Sequence, residues 1–217
     1  MVIRLREPVN GLTHAIGVAL SIAGLVFLIL KSVDPVKVWH IVTFSIFGAG
    51  LILLYLASTL YHWLPLGADG IRRLRKLDHS MIFFLIAATY TPICLIPLRG
   101  GWGWSIFGVV WGLALIGTTI KLAFTSTPRL LSTSIYLLMG WVVIVAIYPL
   151  STAIQTGALV WLFIGGLLYS IGAVIYALKR PNLIPNVLGF HELFHIFVVL
   201  GSLSHFWVMY NYVSTLE

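Results

Sequence analysis

His191-Glu192-Leu193-Phe194-His195 opens the last long apolar run of the chain with two histidines four residues apart. If the run is a helix, four residues turn through about 400° and climb about 6 Å, so both imidazoles leave one face a turn apart, which is metal-ligand spacing. In a soluble chain the H-E-x-x-H pattern would suggest a zinc peptidase with Glu192 as base. The flanks here are those of a membrane segment. The question is therefore what a pair of histidines does inside a bilayer. Two more stretches bear on it: Ser58 and His62, again four apart, close another apolar run, and Asp78 stands at the entrance of a third.

Composition sets the class. Of 217 residues 60% are hydrophobic and 9% charged, with a mean hydropathy of +1.04, against about 25% charged in a soluble domain. The net charge of +7 does not point to nucleic acid, because the basic residues lie between apolar runs and not along one helical face with interleaved aromatics. Cys94 is the single cysteine, so no disulfide forms within the chain and the redox compartment stays open. Arg4 and Arg6 precede the first apolar run as in a signal peptide, but no small-residue cleavage site leads into a polar region, so the run is expected to remain as a membrane anchor.

A bilayer core takes about 20 apolar residues per helix, and seven such runs fit. They are roughly Leu12 to Leu30, Val38 to Trp63, His79 to Pro97, Trp102 to Ala123, Leu131 to Leu150, Ala158 to Leu178 and Phe190 to Tyr212. Breaker clusters separate them at Asp34-Pro35, Leu64 to Gly70, Arg99 to Gly101, Thr127-Pro128, Ser151 to Gly157 and Pro181 to Pro185. Residues 1–217 thus read as a single all-α domain, a seven-transmembrane-helix bundle in the cell membrane. Ten lysines and arginines fall on the side of the N-terminus and three, Lys31, Lys37 and Arg99, on the other. The positive-inside rule makes the N-terminus cytoplasmic and the C-terminus outside. Trp39, Trp63, Trp102 and Trp104 lie near run ends, where indoles prefer the interface. Gly48, Gly50, Gly108, Gly112, Gly165, Gly166 and Gly201 are expected to serve helix packing.

With this topology His62, Asp78 and the His191/His195 pair, distant in sequence, arrive at one leaflet depth. Ionisable groups in a membrane are costly and usually face a partner inside the bundle. A metal supplies one: three neutral imidazoles leave a fourth position of tetrahedral Zn²⁺ open for water, as in catalytic sites, and the ion lowers the pKa of that water to about 7. Asp78 would hold or deprotonate the water, and Ser58 would orient a ligand or a substrate carbonyl. Blander readings stand beside these. Asp78 caps the third helix, Ser58 packs helices, Glu192 faces the polar interface, and His40, His79 and His205 are packed or hydrogen-bonded. His205 lies about 15 Å beyond His195, too deep for the same ion.

Four ordered motifs carry a resemblance. Glu7 to His14 fits E-x-x-N-x-x-T-H, Ser58 to His62 fits S-x-x-x-H, Leu77-Asp78-His79-Ser80 fits an aspartate motif, and His191 to His195 continuing to His205 fits a closing histidine motif. Together they resemble the progestin and adipoQ receptor (PAQR) family, in its bacterial hemolysin III branch. The resemblance implies zinc on His62, His191 and His195 near the cytoplasmic face, with Asp78 and Ser58 beside the bound water and Glu7, Asn10 and His14 in support. It further implies a likeness to alkaline ceramidases, hence hydrolysis of a lipid amide or ester bond, with membrane lipids as partners and an effect on lipid homeostasis or membrane fluidity. The alternatives are a lipid or ligand sensor with structural zinc, and the pore-forming activity suggested by the branch name. A pore would need a polar stripe down several helices.

Overall fold

A computed structural model describes residues 5–123, 128–184 and 187–217. Arg4, Thr127 and Pro185, which enter the charge count and two of the expected breaks, lie outside the described residues. The regular elements among the described residues are helices: α1 (Pro8–Leu30), α2 (Val38–Trp63), α3 (Ala68–Leu95), α4 (Gly101–Ala123), α5 (Arg129–Gly140), a 3-10 stretch (Val142–Ala146), α6 (Ile147–Ala153), α7 (Thr156–Leu178) and α8 (Phe190–Asn211). Among the described residues seven helical spans are long and apolar enough to cross a membrane, the fifth being Arg129–Ala153 taken as one. Helices suit these runs because hydrocarbon offers no partner for an open backbone N–H or C=O.

Neighbours in sequence are neighbours in space. α1 packs on α2, α2 on α3, α3 on α4 and α7 on α8, while α1 meets α8 and the fifth span leans on α3 and α7. α2 and α3 are the most buried of the spans, with Tyr55, Phe44, Phe47 and Phe83 at the core. Two glycines permit the closest approach here: a Cβ on Gly50 would lie 2.5 Å from that of Ala88, and one on Gly48 would strike Leu25. Gly108 and Gly112 differ from the expectation. Nothing lies within 4 Å of a Cβ at either, so on α4 they face outward and pack no helix.

The third and fifth spans depart most from the sequence reading. The third helix begins at Ala68, not His79. Hydropathy misses its first turns because they carry Asp69, Arg72, Arg73, Arg75 and Lys76, yet Leu, Arg, Lys and Ala are good helix formers. Asp69, in the first turn, suits the positive end of the dipole and pairs with Arg72. Asp78 is therefore in the third turn of a continuous helix and caps nothing.

The fifth span, expected unbroken from 131 to 150, is interrupted between Gly140 and Ile147. Pro149 excludes the helical position of the carbonyl four residues earlier, and Gly140 is a weak helix former. Irregular backbone at this depth survives only where protein satisfies it. Tyr90 on α3 does so, its hydroxyl donating to Gly140 O at 2.7 Å and accepting from Val143 N at 2.9 Å.

Candidate metal centre

α2 ends where α1, α3 and α8 begin, so one end of the bundle gathers side chains from four helices. His62 is in the last turn of α2, and His191 and His195 occupy the first two turns of α8. Their ligand nitrogens all lie within 4.8 Å of one another. The Nε2 atoms of His62 and His191 are 3.3 Å apart, and two nitrogens on one tetrahedral ion at 2.0–2.1 Å come to roughly 3.3 Å. His62 is 1% and His195 2% exposed, so both rings are withdrawn from the surface.

The opposite edges of the rings are held. His62 Nδ1 donates to Glu7 Oε2 at 2.5 Å. His195 Nδ1 is 3.2 Å from both Asn10 O and Thr13 Oγ1, and the Thr13 hydroxyl proton is already given to Asn10 O at 2.8 Å. The threonine oxygen must therefore accept, which puts the His195 proton on Nδ1 and leaves the Nε2 lone pair free. A carboxylate or carbonyl behind the imidazole is the usual support of a histidine ligand. The hydrogen bond from His62 also lowers the pKa of Glu7, outweighing the opposing effect of burial. Glu7 is then a carboxylate at neutral pH. Exchanging it for glutamine should weaken divalent-metal affinity about 10- to 100-fold, read by competition with a chelator. Unchanged affinity would show that Glu7 does not support the ligand.

Orphaned polar atoms adjoin the cluster. The Ser58 hydroxyl and both ring nitrogens of His14 are buried without a hydrogen-bond partner, although His14 stacks on His195 with ring centroids 3.7 Å apart. Buried polar groups of this kind call for a ligand, ion or water. Ser58, His14 and Asp78 line one cavity of about 370 Å³ that begins at His191 and His195 and is otherwise largely apolar. Asp78 is outside the group of mutually close ligand atoms. Such a carboxylate suits a role one atom removed from an ion. The donor set and its supports thus fit a divalent metal held by His62, His191 and His195.

The other ionisable groups sort differently. Glu192 accepts from Gly189 N at 2.9 Å and so caps α8, which removes it as the base of an H-E-x-x-H site. His79 donates from Nδ1 to Arg75 O at 2.8 Å and lies 3.1 Å from the Tyr176 hydroxyl through Nε2; its contact with Asp78 is longer, at 3.3 Å. His40 is satisfied by Val213 O at 3.0 Å. His205 stacks on Tyr169, but its Nδ1 is unpartnered. Sequence reasoning gave no role to Thr13; its signal was a hydroxyl one residue before a histidine in the opening motif.

These features define an α-helical integral membrane protein with a buried three-histidine cluster at one end of a seven-span bundle. The model of the haemolysin-III related family matches residues 3–206. A hemolysin-3 homolog of Bacillus subtilis (strain 168) is 43% identical over 206 residues, covering 95% of this chain and 93% of the relative. Hemolysin-3 of Bacillus cereus is 38% identical over 209 residues, covering 95% and 91%. The human monocyte to macrophage differentiation factor is 28% identical over 212 residues, covering 94% and 83%. The chain belongs to the haemolysin-III related family, a branch of the PAQR family.

Proposed function

We propose that this protein is a zinc-dependent hydrolase of lipid amide or ester bonds, working at the cytoplasmic side of the cell membrane with an effect on membrane lipid composition. One observation carries the reading. A three-histidine cluster, a carboxylate and an unpartnered serine hydroxyl converge at the head of a cavity whose accessible walls are largely apolar. The cytoplasmic placement is supported by the ten-to-three division of lysine and arginine between the two faces.

Zinc, when bound, supplies Lewis acidity that makes water nucleophilic near neutral pH. The protein does the rest. Asp78 takes a proton as water oxygen bonds to the carbonyl carbon, and returns it to the leaving nitrogen or oxygen as that bond breaks. Ser58 Oγ–H donates to the carbonyl oxygen as charge develops there. The apolar walls take up the acyl chain and fix the carbonyl at the cluster.

The name of the Bacillus cereus relative speaks of lysis, but an apolar chamber favours holding a chain over passing ions. Purified protein should carry about one zinc and cleave a fluorescent acyl-amide or acyl-ester lipid, lose this on chelation and regain it with zinc. A folded wild type that takes up no metal ends the proposal.

A further inference from the structure

Polar side chains occur along the whole cavity, and most are engaged. Thr89 donates to Leu85 O, Tyr90 bridges Gly140 and Val143, Ser170 receives the Trp141 indole N–H, and Tyr169 pairs with Ser202. Among the described lining residues, buried polar atoms without a partner remain at two places. One is the pair Ser58 and His14 beside the histidine cluster. The other is His205.

His205 stands ten residues beyond His195 on α8, about 15 Å along the axis. It is 9% exposed. Its ring lies on that of Tyr169 with centroids 5.4 Å apart and planes 19° from parallel. Gly165 of α7 makes the room: a Cβ there would come within 2.8 Å of His205 Nε2. The ring is therefore closely seated while Nδ1 makes no hydrogen bond. An imidazole so placed in hydrocarbon is costly, and membrane-embedded ionisable side chains mark functional sites. A neutral ring offers one donor and one acceptor.

We infer that His205, backed by Tyr169 and seated against Gly165, is a distal polar subsite for a hydroxyl on the far part of an acyl chain whose carbonyl lies at the histidine cluster. The inference deepens the lipid-hydrolase reading and takes from it the direction in which the chain enters. A hydroxyl suits the place because it can donate to one imidazole nitrogen or accept from it. A carboxylate or phosphate would carry net charge into an apolar chamber. The two unpartnered places, separated by roughly the length of a medium acyl chain, then match one ligand that is polar at both ends of its bound portion.

The test is binding of free acids, which needs no turnover. Full-length protein in lipid nanodiscs is titrated with a sixteen-carbon saturated acid and with the same acid hydroxylated at about the twelfth carbon. The wild type is expected to bind the hydroxylated acid about three- to tenfold more tightly, the range of one net hydrogen bond. In His205→Phe the ratio of the two affinities should fall to near one. Gly165→Ala, which crowds Nε2, should lower the ratio as well and serves if the phenylalanine variant does not fold. Equal affinities in the wild type, or a preference that survives in the folded variants, overturns the proposal. A protein that shows the preference but hydrolyses nothing keeps the subsite and removes the hydrolase; one that hydrolyses without the preference does the reverse.

Discussion

Asp78→Asn should retain about one metal ion per chain while turnover of a lipid amide falls about 10²- to 10⁴-fold, the usual worth of a positioned proton acceptor. The two halves of this expectation have separate grounds. Metal is retained because the carboxylate is not among the mutually close ligand atoms contributed by His62, His191 and His195. Turnover falls because Asp78 shares the head of the cavity with Ser58 and His14, while asparagine keeps the size and dipole but accepts no proton. Metal analysis and a lipid-release assay on the same preparation separate the outcomes. Metal lost together with activity would make Asp78 a ligand. Full activity with metal bound would remove it from the chemistry, and a lipid profile unchanged by the variant in cells would favour a sensor in which the ion is structural.

His195→Ala is expected to have the opposite signature, taking the metal away along with the activity. Two nitrogens then remain, too few to hold a tetrahedral ion against water. Stability should suffer as well. The imidazole is fully packed, stacked on His14 and bonded to Asn10 and Thr13, so its truncation leaves a void and removes those contacts, about 2–4 kcal/mol together. Linkage gives a second readout. Added zinc raises the thermal midpoint of a protein whose native state alone binds it, so the wild type should shift and the variant should not. A variant that still shifts would mean that the ion sits elsewhere.

The same contrast separates support from ligation. Glu7 reaches the site through His62 and should tune affinity, whereas His195, as a proposed ligand, would supply a lone pair and should decide occupancy. The distinction follows from which edge of each ring is occupied by protein. Both Nδ1 edges are taken, by Glu7 on one histidine and by Asn10 and Thr13 on the other. That arrangement leaves both Nε2 edges unclaimed by the supporting groups, and the Nε2 of His62 faces that of His191 at 3.3 Å.

The sequence by itself determined the class, the seven spans and the three histidines that the fold brings together. In a chain solvated by hydrocarbon each buried histidine, aspartate or charged cluster is an expensive exception, so His62, Asp78, His191 and His195 stand out without any coordinates. The tertiary structure decided what transfer free energy summed along a window leaves open. The charged turns from Ala68 belong to the third helix, so Asp78 caps nothing; Pro149 and Gly140 break a span that hydropathy joins, and Gly108 and Gly112 face outward. Contacts such as Thr13 to His195, 182 residues apart, and the chamber that leads from the histidines to His205 exist only once the helices have chosen their faces. Hydropathy measures the affinity of a segment for its solvent, and packing then fixes which side of that segment meets which neighbour.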